Sequence, residues 1–112
     1  MNNIAEVNAA RGIVATKIIL SKTQDLFLER GSGVGIVGGS PEEVGQMLAQ
    51  YPNKGCQIIF DMAYAPNFKR YWNAMVKRAN RIAAAAGVKL SEPKEYFIDG
   101  YRQTDKFVMV VE

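Results

Sequence analysis

At 112 residues, with 48% apolar and 22% charged side chains and a net charge of +3, the chain has room for one domain over residues 1–112 with a modest core, and its composition excludes wholesale disorder. No run approaches the roughly 20 apolar residues that span a bilayer, and the start "MNNIAEVNAARG" lacks the basic-then-apolar pattern of a secretory leader, so a cytosolic or intracellular setting is expected. Histidine is absent and Cys56 is the single cysteine, which excludes an intrachain disulfide and the usual zinc ligand sets and removes the commonest acid–base residue; no metal or cofactor is expected.

Ile4, Val7 and Ala10 fall at helical spacing and allow a short helix at the start. Residues 12–20, "GIVATKIIL", are rich in β-branched side chains, and "DLFLERGSGVGIVGG" continues with short apolar runs broken by Gly31, Gly33 and Gly35, which reads as two or three strands in all. At Ser40 the pattern changes. Ser40 is an N-cap, Pro41 fits the first helical position, and Glu43 completes a capping box ahead of the stripe Val44, Met47, Leu48 and Tyr51. Pro52 and the "NKG" that follows end this helix. Cys56 then opens "CQIIFDMAY", an apolar run without clean alternation, as expected of a central strand.

A long helix is expected from near Pro66 to Gly87, with Phe68, Trp72, Met75, Ala79, Ile82 and Ala86 on one face as core and Gly87 in the left-handed terminal position. "EYFIDGYRQTDKFVMVVE" reads as a hairpin turning at Asp99-Gly100. The expected fold is α+β: a mixed or antiparallel sheet with two helices, one long, on one face and a C-terminal β-hairpin.

The glycines at 33, 35 and 38 match G-x-G-x-x-G literally. In the dinucleotide fingerprint, however, the glycines open a helix, whereas here the helix waits for Ser40 and "VGIV" is left as a strand. Glu42 and Glu43 in the first helical turn would also repel a phosphate. A narrower possibility is a ligand or phosphate loop at Gly38, Gly39 and Ser40, neutralised by arginines such as Arg70 or Arg102, for a nucleotide-like small molecule held in a pocket between subunits.

Charge is unevenly placed. Lys69, Arg70, Lys77, Arg78, Arg81 and Lys89 lie between Pro66 and Leu90 with no acidic residue among them. Arg70, Lys77 and Arg81 share the helix face opposite the apolar stripe, beside Asn73 and Asn80, and Lys69 and Arg78 flank them. Such an unrelieved positive stripe favours an anionic partner, nucleic acid first, bound without base reading; Tyr64 and Tyr71 are placed to offer rings beside Arg70. Long basic side chains are also ordinary on a solvated helix face.

Catalytic chemistry finds little support. Asp99 and Asp105 fall in expected turns, and Asp61, at the end of its strand, is a carboxylate without a visible base or nucleophile beside it. Three functions therefore remain in order: a non-enzymatic nucleic-acid-binding domain, a small-ligand binder, and an assembly protein whose apolar strand "FVMVV" extends a sheet across a homo-oligomer.

Overall fold

The computed structural model describes residues 3–21, 26–30, 34–38, 40–63, 65 and 67–112, with 26–30 and 34–38 as backbone. The elements in chain order are α1 (Ile4–Ala10), β1 (Ala15–Leu20), β2 (Leu26–Arg30), β3 (Val34–Gly38), α2 (Pro41–Leu48), β4 (Gln57–Asp61), α3 (Phe68–Ala86), β5 (Lys94–Ile98) and β6 (Tyr101–Val110). The strands form one sheet in the order β3-β2-β1-β4-β6-β5. Neighbours are antiparallel except β1 and β4, which pair in parallel with Ile18 opposite Ile58. This is the expected α+β class with a mixed sheet. It has three helices where two were expected, the third being α1, which Asn3 caps by accepting from the Glu6 N–H and which the buried Asn8 fastens by donating to the Gln50 carbonyl at 2.7 Å.

Strand alternation sorts the core into two faces. On one face Ile18, Leu20, Ile58, Phe60, Met109 and Val111 meet Val44 and Leu48 of α2 and Met75, Ala79 and Ile82 of α3. On the other, Ile59, Val108 and Tyr96 form a small cluster with Val110 against it. Cys56 lies in the main core, 1% exposed, and burial pushes its thiol up to about 12.

Local chemistry sets the element ends. Ser40 Oγ accepts from the Glu43 N–H at 3.2 Å, and Asn67 does the same for Arg70 at the head of α3. Gly87 closes α3 at φ 71°, ψ 30°, with the Val88 N–H donating to the Ala83 carbonyl. Asp99 at φ 50° and Gly100 at φ 82° make the two-residue turn between β5 and β6, as a type I′ hairpin requires.

Two expectations need correction. "FVMVV" is no free edge: β6 pairs with β4 on one side and with β5 on the other, so its ladder groups are already used. Phe68, expected in the core, is 52% exposed. At the first position of α3 its ring lies against Trp72 and Phe107, themselves only partly buried, and not among the fully buried core side chains.

Candidate functional site

The outer face of α3 is built by one rotation rule. Residues 100° apart around the axis that carry Met75, Ala79 and Ile82 inward must carry Arg70, Lys77 and Arg81 outward, and all three are exposed. The five expected cations nevertheless have three different fates.

Arg81 is neutralised. Its Nε and Nη2 donate to the two carboxylate oxygens of Glu42, each at 2.7 Å, a bidentate pair between α3 and the first turn of α2. Those hydrogen bonds hold the Glu42 carboxyl below its ordinary range. Arg78 turns inward and is half-buried, its Nη1 donating to the Ser21 carbonyl at 3.1 Å and lying 3.8 Å from the Met75 sulfur. Burial draws its guanidinium below the ordinary arginine value, with Arg81 nearby acting the same way and Tyr71 opposing. Lys69, Arg70 and Lys77 are exposed, and among the described residues no carboxylate pairs with them.

Next to these three lies an aromatic hollow of about 290 Å³ lined by Phe68, Lys69, Trp72 and Phe107. Phe68 and Trp72 are stacked, 15° between planes and 6.0 Å between centroids. Phe107 of β6 meets both edge-on, at 6.0 Å and 4.8 Å, and Phe60 supports Trp72 from the core at 5.5 Å. Each ring therefore has its orientation fixed by another ring. Tyr71, expected to present its ring beside Arg70, instead buries its hydroxyl, which has no hydrogen-bond partner among the described residues; burial raises its pKa, with Arg78 opposing and Asp61 reinforcing.

Within one copy of the chain the alternative ligand set is dispersed. Gly38 ends β3 at one edge of the sheet, and Arg102 sits on β6 beside the opposite edge, four strand spacings or roughly 19 Å away. Arg102 is moreover paired with Glu95 at 3.6 Å, and Ser40 is occupied as a cap. Gly33, Gly39, Tyr64 and Pro66 lie outside the described residues. Asp61 accepts from the Ala63 N–H at 3.1 Å and so caps the turn after β4. A second hollow, about 400 Å³, opens where β1 and β4 begin, with Lys17, Lys54 and Gln57 in its wall. Among the described residues no group of three Cys, Asp or Glu side chains is placed to hold a metal ion, and no helix is long and apolar enough to cross a membrane.

Comparison with known protein families, with curated proteins and with solved structures found no match to this chain.

Sequence reasoning missed the hollow. Phe68 and Trp72 lie in the apolar stripe by angle, but angle does not say how far other elements cover each ring. Phe107 comes from a strand 35 positions beyond Trp72, and only the tertiary fold brings them together.

Proposed function

We propose that this chain is a non-enzymatic binding domain that engages nucleic acid through the outer face of α3, with Lys69, Arg70 and Lys77 as the phosphate contacts. The observation that carries this reading is that these three cations stand on one exposed helix surface with no acidic partner among the described residues. Arg81 and Arg78, whose charge is already engaged by Glu42 and by the Ser21 carbonyl, support the fold instead. Three phosphate contacts correspond to a log–log salt slope of about −2 for a single strand. Changing Lys69, Arg70 and Lys77 together to Glu should abolish binding in a low-salt polarisation assay while leaving the circular dichroism spectrum unchanged. Undiminished binding by that variant would remove the proposal.

A second reading, self-assembly, is favoured by the hairpin. Its outer half extends past β4, which reaches only Lys106–Val110 of β6, and it exposes Phe97 and Tyr101 at 53% and 76%. Sedimentation velocity of the wild type and of a Phe97→Ser, Tyr101→Ser double variant tests it: a dimer lost in the variant supports this reading, and a monomer at every concentration rejects it.

A further inference from the structure

We infer that the hollow of Phe68, Trp72 and Phe107 receives an unpaired base, so that the ligand class of the α3 face is single-stranded nucleic acid; this rests on the reading of that face as a phosphate-binding surface. Phe68 is the starting point. A phenylalanine at a helix start can shed exposure by turning inward, yet here it is held outward by stacking on Trp72 and by the edge of Phe107. Its ring is thus a fixed platform, and ordering it on binding costs little conformational entropy. Planar bases stack on such platforms whatever their identity, which matches a surface that carries no pattern for reading base edges.

The charge beside the hollow selects what kind of planar group arrives. Lys69 lines the rim, Arg70 follows it around the axis, and Lys77 stands two turns further along, roughly 10 Å from Arg70 along the axis. A strand with one base in the hollow can run its phosphates over these cations in that order. The nearby acidic residue of β6, Asp105, is already paired with Lys106 at 3.2 Å and does not oppose this path. A duplex keeps its bases stacked inside and cannot offer one to the hollow without the cost of unpairing.

The chain has a single tryptophan beside five tyrosines, so fluorescence excited at wavelengths too long for tyrosine to absorb reports on Trp72 alone. The experiment is a low-salt titration of the full chain with a short oligothymidylate and with the duplex it forms with oligoadenylate, read by fluorescence and by polarisation. The single strand should quench Trp72 and the duplex should not. Phe68→Ala should weaken single-strand binding about tenfold or more, with the salt slope and duplex affinity unchanged. Phe68→Leu, which keeps apolar bulk but has no ring face, should behave like the alanine variant. Equal affinity of wild type and both Phe68 variants for the single strand overturns the inference, as does an equal loss on strand and duplex. Loss of binding on charge reversal but not on Phe68 replacement keeps the α3 reading and removes the base from the hollow. A Trp72 signal that follows protein concentration alone, and disappears in the Phe97→Ser, Tyr101→Ser variant, assigns the hollow to the hairpin of a second copy and likewise overturns it.

Discussion

Glu42 reaches Arg81 across 39 positions of sequence, and that one contact changes which cations a partner meets. Because Glu42 neutralises Arg81, removing both charges together in Arg81→Ala, Glu42→Gln should leave nucleic-acid affinity within about twofold, since a neutral pair makes no phosphate contact and releases no counterion. Glu42→Gln alone should not. By freeing Arg81 it should tighten binding at low salt and steepen the salt slope by about one unit. The same pair has a pH signature. Glu42 is held below its ordinary 4.5 in the folded state, so its contribution to stability is complete above that value and is lost as pH falls through the lowered folded value. Acid unfolding of Glu42→Gln should accordingly lack this component when followed by circular dichroism. None of this is visible along the sequence, where the window from Pro66 to Leu90 contains no acid, because a helix can be neutralised from a neighbouring element.

Helix α2 can deliver Glu42 to α3 because the two helices approach unusually closely at Gly45. A Cβ built there would lie 2.5 Å from both the Ala85 Cβ and the Ile82 carbonyl oxygen. Gly45→Ala therefore gains helix propensity of about 1 kcal/mol but forces the helices apart, with overpacking costing about 1–3 kcal/mol. A lower urea midpoint at unchanged m is the expected outcome; a raised midpoint would mean that the interface yields freely. At this scale much was legible beforehand. The Ser40 cap, the stop at Gly87 and the Asp99-Gly100 turn depend on neighbours within a few residues, so local chemistry determines them. The separation of Gly38 from Arg102 depends on strand order, which periodicity does not encode.

Across the whole molecule, Cys56 offers a probe of global opening. It is buried in the main core, and its thiol is raised to about 12 from the ordinary 9.0, so thiol-specific reagents should label it only in step with unfolding. Rapid labelling of folded protein at neutral pH would contradict that placement. Because the folded value is raised, the contribution of Cys56 to stability is complete below 9.0 and declines as pH climbs toward 12, where the unfolded chain ionises and the native one does not. The α+β class and the single long helix were legible from periodicity; the exposed aromatic end of α3 was not, because it depends on Phe107, which only docking brings beside Phe68 and Trp72. The parallel pairing of β1 with β4 carries one more implication, for biogenesis. The central strand gains its second neighbour only from β6, which follows every other strand of the sheet in translation. Until then a nascent or prematurely terminated polypeptide displays the unpaired backbone groups of "QIIFD", flanked by apolar side chains, as an open ladder, the kind of surface that chaperones shield and that aggregates recruit.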